Sequence, residues 1–217
     1  QDILKVEKVK NNISVIFGYG GNILVSIGED GTLIIDNQFP QLQKNIMTEI
    51  KKLGGKNIDY VINTHWHFDH AEGNRAFGPK GSIIIAHENS KEFMKKNNTI
   101  NIVYVEYPQQ AYTGSSLPKI TFKDRMELKF NNNNISLHNF GPGHTTGDTI
   151  VFFREANIIH FGDILNTDSM VFIDSANGGS LAGMIKNLEG ALKIINKDTI
   201  VIPGHGKITD YETVKKY

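Results

Sequence analysis

From Thr64 to His70 the chain reads Thr-His-Trp-His-Phe-Asp-His, placing three histidines and an aspartate within six residues of a chain that has only 8 His. An apolar run at residues 58–62 directly precedes it and reads as a buried strand. If extension continues past Asn63, the period of two puts His65, His67 and Asp69 on one face. If a helix starts at Phe68 instead, Asp69 and His70 become neighbours in its first turn. Both geometries bring imidazoles and a carboxylate to one point, where a divalent cation would resolve otherwise costly buried charge. A polar turn with solvated side chains would account for one histidine, but poorly for this density. Any fold this chain adopts must carry the segment to a ligand-holding rim.

Composition narrows the chemistry. The 217 residues include no Cys, so metal must be held by nitrogen and oxygen donors and disulfides are excluded. The length suits one large domain or two fused half-domains. A net charge of zero and a pI near 7.3 give no footprint for nucleic acid. No apolar run approaches the roughly 18 residues of a membrane span. A small-molecule substrate is therefore the expected partner, with the oligomeric state left open. The chain opens on Gln1-Asp2 without Met, which suggests a processed, periplasmic or secreted protein, with a cytoplasmic one as the alternative.

Residues 3–36 read as strands joined by tight turns, chiefly 13–17, 23–27 and 33–35, with Glu29-Asp30-Gly31 as a hairpin signal. Pro40 opens a helix with Leu42, Ile46, Met47, Ile50 and Leu53 at helical spacing, and Gly54-Gly55 ends it. Residues 82–86 read as a strand and 87–96 as a helix. Residues 97–118 read as a long surface excursion, a lid or binding wall. Further strands are expected at 121–122, 126–130, 135–137, 149–153, 158–160 and 199–202. Ser180 caps a helix carrying Leu181, Met184, Ile185, Leu188, Leu192 and Ile195. A last helix starts at Thr209 or Asp210, and the natural chain is expected to continue beyond Tyr217. The pattern predicts one domain, 1–217, of two similar halves (about 1–118 and 119–217), packed sheet to sheet with helices outside.

Three later points carry the same chemistry: His144 in a glycine-rich loop, Asp163 just after a strand, and His205 after the last strand. With the 65–70 cluster, this order of ligands resembles the metallo-β-lactamase superfamily over nearly the whole chain. The resemblance implies an α/β (α+β) four-layer αββα sandwich with the metal centre at the rim. It puts His65, His67 and His144 on one metal and Asp69, His70 and His205 on the second, with Asp163 bridging. Two Zn2+ per chain suit these donors, and Fe or Mn also fits them. The implied enzyme is a zinc-dependent hydrolase with Asp69 and His205 as catalytic residues. A water shared by two cations loses a proton near pH of about 7 and attacks a lactam, lactone, ester or thioester carbonyl. Asp69 orients that water.

Departures from the family pattern shift the expected substrate. Many β-lactamases carry Cys where Asp163 stands, and often Lys where Asn166 stands. A bridging Asp is similar to the lactonase and glyoxalase II branches instead, although the latter's added helical domain has no counterpart here. The alternatives are a mono-iron persulfide dioxygenase-like oxidoreductase and a non-catalytic metal-binding protein of the same fold. Trp66, Tyr19 and Asn177 are the candidate substrate contacts, with Phe17, Met170 and Phe172 near them and Asn177 as an oxyanion donor. Asp36 is expected to support the site from behind, and Thr145 and Asp148 to orient His144. His87, His138 and His160 match no ligand position and are expected to be structural, with His138 a candidate support for a ligand.

Overall fold

The computed structural model describes residues 3–102, 104–168 and 170–217. Short β-branched runs and tight turns make β1 (Lys5–Lys10), β2 (Ile13–Phe17), β3 (Ile23–Gly28) and β4 (Gly31–Ile35), an antiparallel meander. A 3-10 turn at Pro40–Leu42 leads into α1 (Gln43–Lys52), whose Ile46 and Ile50 are buried. β5 (Tyr60–Ile62) lies parallel to β4, and its end delivers the 64–70 segment. Two short helices follow, α2 (Phe68–Ala71) and α3 (Asn74–Phe77), then β6 (Ile83–His87) and α4 (Glu88–Met94). A separate hairpin of β7 (Asn98–Ile102) and β8 (Val105–Gln109) precedes β9 (Ile120–Phe122), which returns to the sheet beside β6.

The second sheet begins with β10 (Arg125–Phe130), β11 (Asn133–His138), β12 (Ile150–Phe153) and β13 (Ile158–His160). After α5 (Leu181–Leu192), β14 (Ile200–Ile202) pairs parallel to β13, and β15 (Thr209–Asp210) and α6 (Tyr211–Lys216) close the described chain. The sheet orders are β1-β2-β3-β4-β5-β6-β9 and β10-β11-β12-β13-β14-β15.

Strand alternation sorts the apolar side chains into layers. Leu33, Ile35 and Ile62 meet Leu137, Phe153 and Ile202 of the other sheet in the central core. On the outer face, Ile34 and Val61 pack with Ile46 and Ile50 of α1. Ile159 and Val201 pack with Met184 and Ala191 of α5. The result is helix on sheet on sheet on helix, the αββα sandwich. Burying each such side chain is worth about 1.5–3 kcal/mol, and the two parallel strand pairs that feed the rim bury side chains on both of their faces.

Two elements differ from the sequence reading. Residues 97–118 are not an irregular excursion, because 98–109 fold into the β7–β8 hairpin. Pro108 and the polar residues Asn98, Thr99 and Asn101 masked its alternation, which is tolerated because this two-stranded ribbon has no central strand. β1 had no strong signal either. Its Lys5, Lys8 and Lys10 suit a sheet edge, where charge blocks further pairing.

Candidate metal centre

The rim lies where β4 and β5 of one sheet and β13 and β14 of the other end. Asp36 leaves β4, the 64–70 loop leaves β5, Asp163 follows β13, and His205 follows β14. The two halves are stitched together here by Thr149 N–H to the Thr64 carbonyl (2.7 Å) and Asn22 N–H to the Gly204 carbonyl (2.7 Å). The chain turns helical at Phe68, so Asp69 and His70 project from the first turn of α2. Gly21 lies against the His70 ring, and a Cβ there would come within 2.1 Å of Cε1.

The structure brings together all seven residues expected at the centre. Three groups have donor atoms within 4.8 Å of one another: His65, His67 and His144; His65, His70 and Asp163; and Asp69, His70 and His205. Asp163 spans them, with Oδ1 3.0 Å from His70 Nε2 and 3.5 Å from His205 Nε2, and Oδ2 3.7 Å from His144 Nε2.

The outer nitrogens of the first group are all engaged. His144 Nδ1 donates to the Phe172 carbonyl (2.7 Å), and His67 Nε2 donates to Asp174 Oδ2 (2.9 Å). Thr64 Oγ1 donates to Asp36 Oδ2 (2.7 Å) and so accepts from His65 Nδ1 (3.0 Å). A neutral ring held in this way turns its unprotonated nitrogen inward. His65 Nε2 has no hydrogen-bond partner, and His67 Nδ1 faces His144 Nε2 at 3.0 Å. Facing lone pairs repel, and coordination to a cation would turn that repulsion into attraction. This donor set fits a metal.

Electrostatics divides the centre. Burial, reinforced by neighbouring imidazoles, holds His65 well below the usual histidine range and His144 down to about 4, the neutral form that ligates metal. Burial alone would also depress His70 and His205. The Asp163 carboxylate, with Asp69, overcomes it, holding His70 well above its usual range and pushing His205 up to about 10. Burial would raise Asp163 and Asp69, yet His70 beside them keeps both ionised. This half carries protons where a divalent cation would otherwise supply the positive charge.

Asp36 is the support beneath the site. It accepts from Thr64 N (2.8 Å), Thr64 Oγ1 (2.7 Å) and His70 Nδ1 (2.7 Å), and it stands at φ 61°, a left-handed conformation costly for an aspartate. Asp148 accepts from the N–H groups of Gly143 and Thr145 and from Thr145 Oγ1, shaping the loop that carries His144. Burial pushes its carboxyl up to about 7.

The substrate-side residues fare unevenly. Tyr19 is 74% exposed and lines a groove of about 560 Å³ with Phe17, Asn22, Asp168, His205 and Lys207. Trp66, by contrast, is fully buried and stacks on Phe93 at 4.8 Å, so it supports the loop from beneath. The Asn177 amide donates to Asp174 Oδ2 (2.8 Å) and to the Thr99 carbonyl (3.1 Å), so both of its hydrogens are engaged away from an oxyanion. Phe172 packs against the His67 and His144 rings, and Met170 is exposed. His87 caps α4 through Asn89 N–H, His160 bonds the Asn22 carbonyl, and His138 bonds Ser136 Oγ. None of these three touches the centre. Sequence reasoning did not single out Asp174, whose only local signal is its capping bond to Asn177 N–H ahead of Gly178.

Known proteins share this architecture. A family profile described as Metallo-beta-lactamase superfamily matches residues 12–205. Metallo-beta-lactamase IND-1 of Chryseobacterium indologenes is 22% identical over 214 residues, covering 94% of this chain and 83% of its own. A metallo-beta-lactamase type 2 of Bacillus cereus is 24% identical over 192 residues, covering 87% of this chain and 68% of its own. Among solved structures, a metallo-beta-lactamase from Pontibacter korlensis superposes with a TM-score of 0.80 at 18% identity, over 98% of this chain and 95% of that one. The DIM-1 metallo-beta-lactamase gives 0.77 at 23%, over 98% and 94%. With the profile running from β2 to the last of the converging ligands, and the same sandwich beneath them, the chain belongs to the metallo-beta-lactamase superfamily.

Proposed function

We propose that the protein is a metal-dependent hydrolase that uses two divalent cations, zinc by its donor set, to open a carbonyl substrate: a lactam, lactone, ester or thioester. His65, His67 and His144 hold one cation, Asp69, His70 and His205 hold the other, and Asp163 lies between. The observation that carries this reading is the trio of imidazoles whose outer nitrogens are all engaged while the inner ones converge on one point. The relatives' names support hydrolysis as the reaction.

Cations held here would supply Lewis acidity toward the substrate carbonyl and a water acidic enough to attack near neutral pH. The protein's own groups do the rest. Asp69, 20% exposed at its side chain and 3.1 Å from His205 Nε2, orients the attacking water and takes its proton for the leaving group. Asp36 and Asp174 hold the ligand rings in one orientation and one tautomer. Substrate enters along the groove between Tyr19 and His205, where the aromatic ring offers an apolar wall.

The test pairs metal content by mass spectrometry, on protein purified without added metal, with turnover of a chromogenic cephalosporin. Two zinc equivalents with fast turnover give a β-lactamase despite Asp163. Two zinc with little turnover leave an ester, lactone or thioester hydrolase. A single iron would overturn the reading in favour of oxygenase chemistry.

A further inference from the structure

In the β7–β8 hairpin, Ile100 pairs with Tyr107 and Ile102 with Val105, so the period of two sets these four on one face. The inner part of that face is covered: Ile100 is buried, and Tyr107 stacks on Phe68 at 3.7 Å, next to the ligands His67 and Asp69. The same face then runs past the body of the protein to Ile102 and Val105, 37% and 63% exposed. Segment 170–177 is tied to this hairpin by the bond from Asn177 to the Thr99 carbonyl. It presents Met170 and Val171, 89% and 47% exposed, just before Phe172 packs on the His67 and His144 rings. One uncovered segment therefore runs directly into Phe172 on the ligand rings, and the other leads to Phe68, the chain neighbour of His67 and Asp69. Neither 98–109 nor 170–179 contains Lys or Arg, whereas each contains a carboxylate, Glu106 and Asp174. A substrate carboxylate would meet no Lys or Arg of these two segments.

We propose that Ile102, Val105, Met170 and Val171 form an apolar lip that receives the hydrophobic substituent of a neutral ester or lactone whose carbonyl is opened at the adjoining centre. The catalytic half of this proposal rests on the hydrolase reading above, and the binding half does not. The occupant follows from continuity with the site and from charge: the exposed Ile102, Val105, Met170 and Val171 offer an apolar chain anchored at the centre a surface, while Glu106 and Asp174, with no Lys or Arg in either segment, disfavour an anionic one.

Binding is tested separately from turnover. The protein has one tryptophan, Trp66, whose carbonyl accepts from Gln109 of β8 and whose ring shares an apolar cluster with Ile100 and Tyr107, so its fluorescence reports on the hairpin. N-octylacetamide, a neutral and unreactive probe, should change that emission saturably, with N-ethylacetamide weaker by about tenfold or more. Ile102→Ser/Val105→Ser should abolish the preference with metal content unchanged, Met170→Ser should reduce it, and Leu181→Ser on the exposed face of α5 should keep it. In parallel, kcat/KM should rise from p-nitrophenyl acetate to the octanoate, and the double variant should flatten that rise. Equal binding of the two amides, or a preference that survives the double variant, overturns the lip. Amide binding without hydrolysis of either ester keeps the lip and sinks the hydrolase reading, and hydrolysis without any chain-length preference does the reverse. If the double variant turns a dimer into a monomer with amide binding unchanged, the face is a contact between copies of this chain and the proposal also falls.

Discussion

The two halves of the candidate centre reach a metal-ready state by opposite routes. His65, His67 and His144 are buried, burial holds His65 and His144 below the usual histidine range, and each of the three is fixed by an acceptor on its outer nitrogen. Asp69, His70 and His205 form a charged cluster in which carboxylates keep imidazoles protonated, and the side chains of Asp69 and His205 remain 20% and 24% exposed. The first half is organised before a cation arrives, since its lone pairs already converge. The second must exchange protons for metal, so its occupancy should depend more on pH. Order and exposure are thus divided: the first half is closed, while the second faces the groove that Tyr19 and His205 line.

Asp163 offers the sharpest way to break that division, because its two oxygens reach both halves. Asp163→Ala should cost both metal equivalents and reduce hydrolysis by orders of magnitude. Loss of a single equivalent would show that it serves only one half. His144→Ala should lose one equivalent and also drop turnover by orders of magnitude, and unchanged metal content would sink its assignment as a ligand. The supporting carboxylates should then separate the halves. Asp174→Asn should weaken only the metal held by His67, whereas Asp36→Asn, which meets His70 directly and His65 through Thr64, should weaken both, each by about 10–100-fold in a chelator competition. If Asp174→Asn also weakens the metal held by His70, the two halves are one coupled site. His87→Ala is the outside reference: metal content stays intact, while loss of its cap on α4 costs about 1 kcal/mol in a denaturant midpoint.

The set of candidate ligands was more legible in the sequence than what surrounds it. His65, His67, Asp69 and His70 are neighbours in the chain, Asp163 and His205 each sit beside a glycine just past a strand, and His144 sits beside Gly143 in the loop between β11 and β12, so residue type and local pattern marked them as candidates. The sheets were legible for the same reason: apolar runs such as 13–17 and 158–160 need little context. Asp174 was not, because its role depends on a contact across 107 positions to His67 Nε2, and the local chain shows only a cap. Trp66 misled in the other direction. Adjacency to ligands suggested substrate contact, but the loop turns its ring under the site onto Phe93, and adjacency carries no information about facing. The hairpin was hidden by Pro108 and by polar residues on its outer face, although its inner alternation of Ile100 and Ile102 was present throughout.

The smallest predicted effect isolates a histidine that burial neutralises far from the ligands. His138 pairs across the sheet with Arg125, stacks on Phe140 at 5.4 Å and bonds Ser136 Oγ. Burial first, and the Arg125 charge second, hold it down to about 4. In the unfolded chain it titrates near 6.5, so its contribution to stability is complete above that value. As pH falls from about 6.5 toward about 4, the unfolded state binds a proton that the folded state refuses, and stability declines by about 1 kcal/mol per pH unit or less. Replacing His138 with Phe should remove that slope and leave metal content unchanged. Urea midpoints of the two proteins at pH 7 and pH 5, under matched zinc, give the comparison. The gap between them should change between the two pH values, because every other titrating group, the metal centre included, is common to both. A gap independent of pH would mean that His138 is protonated in the folded protein, with the strand opening to let water reach it.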